Sequence, residues 1–219
     1  MLIAIDGPSG VGKTTVAKKV AEKLGLKAVS TGAIYRAVAY AIKRENIPIY
    51  DLNALKDFLN GLNIDQKYEN GEIRTYLNGE DITDKLDSPD ISELSSEIAA
   101  ITEIREYLLD VQRRIANDNA VVEGRDIGSV VLPYADVKVF LDASLEERIK
   151  RRYNYLRSKG INITLEEVRS EILGRDTRDR NRKTAPLVKP KDAFYIDTTY
   201  MTEDEVVNKI IKIVKNLVV

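Results

Sequence analysis

The sequence predicts an α/β fold: three layers, α/β/α, around a five-stranded parallel sheet, with a small antiparallel β insert. Three observations predict it. Short apolar runs of strand length alternate with amphipathic helical stretches along most of the chain. A glycine-rich stretch joins the first of these runs directly to the first helix. The alternation breaks once, at two Asn-Gly pairs flanked by alternating residues, which is how tight hairpins are written. A length of 219 residues suits one such domain with its insert. The boundaries read as core over 1–61, insert over 62–90 and core again over 91–219.

The first strand is Leu2-Ile3-Ala4-Ile5, an apolar run suited to burial on both faces. Gly7-Pro8-Ser9-Gly10-Val11-Gly12-Lys13-Thr14 follows and matches G-x-x-x-x-G-K-[ST], the P-loop pattern that cradles phosphates. The next helix sets Val16, Val20, Ala21 and Leu24 at helical spacing. Glycine lets the backbone close on an anion where a Cβ would obstruct. Unpaired N–H groups at the helix start, with the helix dipole behind them, draw phosphate. Lys13 is expected at the β- and γ-phosphates of a bound nucleotide and the Thr14 hydroxyl on Mg²⁺, the cofactor-binding stretch running from Gly7 through Thr15.

Composition narrows the chemistry around that loop. There is no Cys and no His. Disulfides, thiolate or histidine metal sites, Cys nucleophiles and Ser-His-Asp triads are therefore excluded. Lys, Arg, carboxylates, hydroxyls, backbone and metal ions remain, an inventory that suits phosphoryl transfer. A net charge of −1 gives no global field toward nucleic acid or membrane. The N-terminus meets Asp6 after five residues, unlike a signal peptide, and no apolar run approaches membrane-span length. A cytoplasmic monomer without nucleic-acid or membrane partners is expected.

Lys27-Ala28-Val29-Ser30 reads as the second strand, and Ala33 to Glu45 as a helix with Ile34, Ala37, Val38, Ala41 and Ile42 inward. Tyr35 and Arg36 sit at the start of that helix, beside a strand end, where core packing and anion contact both remain open. Leu62 to Asp84 reads as a three-stranded meander around Asn70-Gly71 and Asn78-Gly79, too small to stand alone. Ile91 to Ile98 and Thr102 to Arg114 read as helices, on which Ser92, Ser95 and Ser96 look exposed and Arg105 a surface charge. Val121-Val122-Glu123-Gly124-Arg125-Asp126 is a strand ending in a polar turn, at the strand end where open sheets bind ligands. Val137 to Asp142 is the fourth strand, and Phe194-Tyr195-Ile196-Asp197 the last. Capping boxes at Ser144-Leu145-Glu146-Glu147, Thr164-Leu165-Glu166-Glu167 and Thr202-Glu203-Asp204-Glu205 open three helices. The last of these carries Val206, Val207, Ile210, Ile211, Val214 and Leu217 as its core face.

Arg175-Asp176-Thr177-Arg178-Asp179-Arg180-Asn181-Arg182-Lys183 holds five cations and two carboxylates, and Arg148, Lys150, Arg151 and Arg152 precede it. Such runs usually face solvent. Arginine is suited to bidentate contact with phosphate, so in a chain with a phosphate loop the reading is a closing clamp.

Five segments together are recognisable: Ile5 to Gly10 leading into Gly12-Lys13; Ser30-Thr31-Gly32-Ala33-Ile34-Tyr35-Arg36; Ser96 to Arg105; Glu123-Gly124-Arg125-Asp126-Ile127-Gly128; and Arg175 to Arg182. In this order, spread over most of its length, the chain resembles the bacterial cytidylate kinases, a family of nucleoside monophosphate kinases. The resemblance implies ATP with Mg²⁺ as donor and CMP or dCMP as acceptor. Thr31, Tyr35, Arg36 and Arg125 match positions that hold the acceptor nucleotide and its phosphate. Ser96, Arg105 and Asp126 match those that read the cytosine edge. Arg175 and Asp179 match sugar contacts, and Arg182 a further acceptor-site position. Lys13, Arg125, Arg178 and Arg182 are then the expected catalytic set, and residues 148–183 a lid. The meander matches the family's insert. Glu123 stands where the family often has Asp, and Thr31 where Ser is commoner.

The chemistry agrees with that placement. Cytosine presents an N4 amine where uracil presents a carbonyl. Asp126 and Ser96 can accept from the amine, and Arg105 can donate to N3 and O2. The alternatives are a kinase for UMP or another small acceptor, shikimate included, and a nucleic-acid-stimulated ATPase. A GTPase is disfavoured, because Asn208-Lys209 is followed by Ile210-Ile211 and not by the guanine-reading N-K-x-D.

Overall fold

The computed structural model describes residues 1–217; positions 218 and 219, the end of the expected second core segment, lie outside the described residues. β1 (Leu2–Asp6) leads through the glycine loop into α1 (Lys13–Leu24), β2 (Lys27–Ser30), α2 (Thr31–Glu45) and α3 (Leu52–Asn60). β3 (Ile64–Glu69), β4 (Glu72–Leu77) and β5 (Glu80–Asp81) form the separate antiparallel sheet. α4 (Pro89–Ile98) and α5 (Thr102–Ala116) precede β6 (Ala120–Gly124) and β7 (Val137–Asp142). α6 (Leu145–Ser158), α7 (Leu165–Asn181), β8 (Phe194–Asp197) and α8 (Glu203–Leu217) complete the chain.

The main sheet has the order β2-β6-β1-β7-β8, with every pairing parallel. Alternate residues serve opposite layers. Leu2, Ala4, Val29, Ala120 and Val122 pack toward α2 and α5, whereas Ile3, Ile5, Val121, Val137, Val139 and Leu141 pack toward α1 and α8. β1 lies between β6 and β7, so the chain winds one way to β2 and the other way to β7. The crevice at that reversal opens beyond the carboxyl ends of β1 and β6, at Asp6 and Gly124.

Local chemistry accounts for the helix boundaries. The Ser30 hydroxyl accepts from the Ala33 amide, so α2 starts at Thr31 rather than Ala33. Thr164 with Glu167 forms the full capping box, and Thr202 with Glu205 makes the same reciprocal bonds. The box expected at Ser144 is only half made. Ser144 Oγ accepts from Glu147 N, but the Ser144 amide donates to Thr199 Oγ1 and the Glu147 carboxylate is taken by Arg151. α3 was not expected: it is nine residues long, begins at Asp51 accepting from Asn53 and Ala54, and buries only Leu55 and Leu59. The wide turn at Ile127–Val131 was not expected either. Leu217, read as core, is 53% exposed, because α8 outruns the sheet it packs on. Ser92 and Ser95, read as exposed, are buried on α4.

The small sheet is held to the main one chiefly by Gln66 on β3. Its Oε1 accepts from Ser30 N at 3.1 Å, and its Nε2 donates to Ser30 O at 3.0 Å and Thr75 Oγ1 at 3.2 Å. Tyr68 Oη donates to Lys18 O, and Arg114 donates to Ile64 O. Replacing Gln66 strands the Ser30 amide and carbonyl at a half-buried seam. Gln66→Ala is expected to cost about 1–3 kcal/mol, lowering Tm by about 2–4 °C per kcal/mol. Thermal unfolding indistinguishable from the unaltered protein would contradict this.

Candidate active site

The glycine loop leaves β1 and turns into α1. Lys13 Nζ folds back to donate to Pro8 O at 2.8 Å. Burial pushes its pKa down to about 7, the Arg125 charge adds to that, and Glu123, Asp179 and Asp6 oppose it. A Cβ on Gly7 would lie 2.2 Å from Leu141 O, so this glycine answers first to the neighbouring strand β7. Glu123 ends β6 beside the loop. Its Oε1 accepts from Thr14 Oγ1 at 2.9 Å and from Ser30 Oγ at 2.5 Å, while its backbone carbonyl accepts from Thr31 Oγ1 at 2.9 Å. Thr14 and Thr15 are exposed on the first turn of α1. Among the described residues no cluster of His, Cys, Asp or Glu forms a metal cage by itself. The Thr14 hydroxyl and Glu123 carboxylate are nevertheless adjacent hard oxygens. That pairing fits an ion like Mg²⁺, which takes one or two protein oxygens and completes its shell with phosphate and water.

Beyond β6 the charges alternate in a chain. Arg125 Nε donates to Asp179 Oδ2 at 2.7 Å, and Asp179 Oδ1 lies 3.5 Å from Arg182. Arg182 also donates to Asp126 Oδ1 at 3.2 Å, whose other oxygen accepts from Arg105 at 2.6 Å. Arg105 in turn lies over the Tyr35 ring, 5.7 Å from its centroid. The side chains of Arg105, Asp126, Asp179 and Arg182 are all nearly sealed from solvent. A cavity of about 70 Å³ borders this group, lined by Tyr35, Arg105, Gln112, Asp126, Thr184 and Ala185. Ala185 holds φ 51, left-handed and costly for a residue with a Cβ, while its carbonyl accepts from Arg182 Nε at 2.6 Å.

A second cationic group lies between α2, α6 and α7. Arg175 donates to Ser92 Oγ at 2.8 Å and shares Glu171 with Arg152. Burial pushes the Arg175 pKa down to about 10, and the Arg125 and Arg36 charges reinforce that. The Nε atoms of Arg36, Arg152 and Arg175 are buried without a partner. Buried unsatisfied donors are costly, so such a cluster has spare capacity for an anion. A larger groove, about 320 Å³, is lined by Tyr40, Lys43, Arg44, Lys85 and Asp90 on the far side of α2. Its cations are already matched by Asp90 and Glu80, which leaves little for an anion.

Residues 3–216 match the family described as cytidylate kinase. The chain belongs to the cytidylate kinase family. It is 47% identical to the cytidylate kinase of Thermotoga neapolitana, covering 97% of this chain and 96% of that one. It is also 47% identical to that of Caldanaerobacter subterraneus subsp. tengcongensis, covering 97% and 94%, and 46% identical to that of Ligilactobacillus salivarius, covering 97% and 96%. A crystal structure of an uncharacterized protein from Eubacterium ventriosum shares the fold at TM-score 0.52 and 16% identity, over 99% of this chain and 98% of that one.

Of the residues that the cytidylate kinase resemblance singled out, Lys13, Tyr35, Arg105, Arg125, Asp126, Asp179 and Arg182 lie in one charge-coupled group. Arg175 joins it through Arg125, and Arg36 through Arg175. Arg178 goes elsewhere. Its Nε donates to Ser96 Oγ and its Nη2 to Glu93, both at 2.9 Å, so it meets α4 instead of the loop. Positions 175, 178 and 179 follow i, i+3, i+4 spacing on one side of α7, and Arg178, like Arg175, turns toward α4. The same spacing applied to Ser92 and Ser96, four apart on α4, would have marked Ser92 as facing α7. Glu171, Arg148 and Asp176 also take part without having been singled out.

A buried lysine with a lowered pKa costs stability wherever the unfolded chain is protonated. That cost is full below about pH 7 and fades toward the ordinary lysine value of 10.5. Lys13→Met is therefore expected to raise the Tm of the nucleotide-free protein near about pH 7 and to raise it less near about pH 9. A lower Tm at both would contradict the burial cost.

Proposed function

We propose that this protein, a phosphotransferase of the cytidylate kinase family, moves the γ-phosphoryl group of ATP to the 5′-phosphate of CMP or dCMP, giving CDP or dCDP. The observation that carries the reading is the buried Arg105–Asp126–Arg182 group. Asp126 and Arg105 set a carboxylate acceptor beside guanidinium donors. Cytosine offers its N4 amine to the one and its N3 and O2 to the other. Uracil would turn an acceptor toward Asp126 and leave buried groups unpaired. Ser96 has already accepted one bond, from Arg178, and keeps a lone pair for the amine.

In this reading Lys13 and the loop amides hold the donor phosphates. Arg36 and Arg125 hold the acceptor phosphate and Arg175 the sugar, the unmatched Nε donors of Arg36 and Arg175 being available to substrate oxygens. The acceptor phosphate is already ionised, so no general base is needed, in keeping with a chain that has no His. Thr14 and Glu123 would hold Mg²⁺, which supplies charge neutralisation between donor phosphates when bound. Arginines of α6 and α7 enclose the transferring group, with 148–183 as the moving lid that keeps water out. Arg178 serves the acceptor side of that lid. A protein of this kind works as a cytoplasmic monomer, and no helix of the described residues is long and apolar enough to cross a membrane.

A coupled assay offering ATP-Mg²⁺ with CMP, dCMP, UMP, AMP or shikimate tests the reading. CMP or dCMP is expected to be used fastest; faster turnover of UMP, AMP or shikimate overturns it. Asp126→Asn keeps the shape and removes the charge, and should lower the preference for CMP over UMP by roughly tenfold or more. Lys13 gives an independent check. At about pH 8 it is largely neutral in the free protein, and donor phosphates would restore its proton. Calorimetry of ATP binding in buffers of different ionisation enthalpy should show proton uptake at about pH 8, and Lys13→Met should abolish it.

A further inference from the structure

The loop is also gripped from outside. Ser9 donates its amide to Asp176 Oδ1 at 3.1 Å, and its carbonyl accepts from Arg148 Nη1 at 3.0 Å. The same Arg148 nitrogen pairs with Asp176 Oδ2. The backbone of one loop residue is thus closed into a ring with a buried ion pair, Arg148 from the first turn of α6 and Asp176 from α7. Neighbouring positions repeat the contact. A Cβ on Gly10 would stand 2.8 Å from Arg148 O and 3.1 Å from Ile172 Cδ1, and Val11 O accepts from Arg151. The carbonyl of the peptide that carries the Ser9 amide, Pro8 O, accepts from Lys13 Nζ, so the ring and the loop lysine meet on adjoining backbone groups. α6 and α7 have a small core of their own, Ile149, Leu156, Val168 and Ile172, apart from the two main cores. They meet the loop at this ring.

We infer that Asp176 and Arg148 are positioning residues: their ion pair fixes the Ser9 peptide of the phosphate loop and ties the donor site to the α6–α7 arm. The inference rests on the donor role proposed for the loop. Neither side chain needs to touch nucleotide. Asp176 is buried and bound on both oxygens, and Arg148 spends its remaining Nε on Ala143 O. Moving the arm must therefore either carry residues 9–11 with it or break the two hydrogen bonds by which the buried pair holds Ser9, leaving buried polar groups unsatisfied, which is costly. Donor binding and arm position are coupled through the backbone of one loop residue.

The test uses Asp176→Asn, which keeps an oxygen for the Ser9 amide but loses the charge that Arg148 needs, and Asp176→Leu, which loses both. Asp176→Asn should raise the KM for ATP by roughly tenfold, with the KM for CMP changing by less than about twofold, and Asp176→Leu should raise it further. Both should raise acceptor-independent ATP hydrolysis relative to transfer, since a loosened loop seals the site less well. Glu146→Gln, which breaks an exposed pair with Arg169 on the same two helices, should change neither KM. Amide exchange at residues 9–11 should quicken in Asp176→Asn while exchange in β1 and β6 stays slow. An unchanged KM for ATP, equal rises in both KM values, or uniformly faster exchange would overturn the inference. If Asp176→Leu does not fold, the Asp176→Asn kinetics and exchange decide alone. If the unaltered protein turns over no monophosphate, the functional reading has failed; ATP affinity by calorimetry and the exchange of residues 9–11 then decide the positioning role.

Discussion

One carboxylate joins the two halves of the site. Asp6 ends β1, one residue before the glycine loop, and is 1% exposed. Its two oxygens accept from the amides of Ile127 at 2.7 Å and Gly128 at 2.8 Å, in the wide turn that follows Arg125 and Asp126. The residue that launches the phosphate loop thus also anchors the turn carrying the acceptor-side charges. Burial pushes its pKa up to about 6, the two amides pull it down, and nearby Asp126 adds to the rise. The group costs stability once the solution is basic enough to ionise it, above its ordinary value of 3.8 and fully by about 6. A fold that retains so expensive an anchor gains from it the fixed separation of loop and turn.

The remaining charges follow a similar logic. Three carboxylates of the site are each shared between two cations: Asp126 by Arg105 and Arg182, Asp179 by Arg125 and Arg182, Glu171 by Arg152 and Arg175. Sharing leaves a surplus of positive charge in a confined volume. The lowered pKa values of Lys13 and Arg175 and the unmatched Nε atoms of Arg36, Arg152 and Arg175 are its local signs. Ion pairs of this kind do little for stability, since desolvation offsets their attraction. They hold guanidiniums in fixed directions, which is what transfer between two phosphates requires.

The parallel sheet was legible in the sequence because its strands are unbroken apolar runs and its helices carry clear caps. α3 was not, since its nine residues bury only two side chains and give little periodic signal. The wide turn after Asp126 was hidden for another reason. It is held by Asp6, more than a hundred positions away, and no local pattern encodes that bond. The site residues divided similarly. Lys13 and Thr14 follow from the loop motif alone. Arg105 and Ser96 read as ordinary surface polars until the family resemblance drew them to Asp126, which its place at a strand end had already marked as a candidate. Arg178 came from the arginine-rich run, whose charge density does not say that its partners are Ser96 and Glu93 on α4. Ser92 and Asp176 carried no signal beyond their spacing.

The Gln66 side chain does something that the backbone of β3 does not. By accepting from Ser30 N and donating to Ser30 O, one primary amide imitates the peptide of a sixth strand on the open side of β2. A terminal strand with free amides and carbonyls invites pairing with another molecule. β2 is four residues long and blocked at its ligand-facing end by this mimic, with β3 and β4 standing in front of it. The insert is therefore also a guard on the sheet margin. A version of this chain shortened through the meander would bare that margin as well as the core that Ile64, Leu77 and Ile82 help to close.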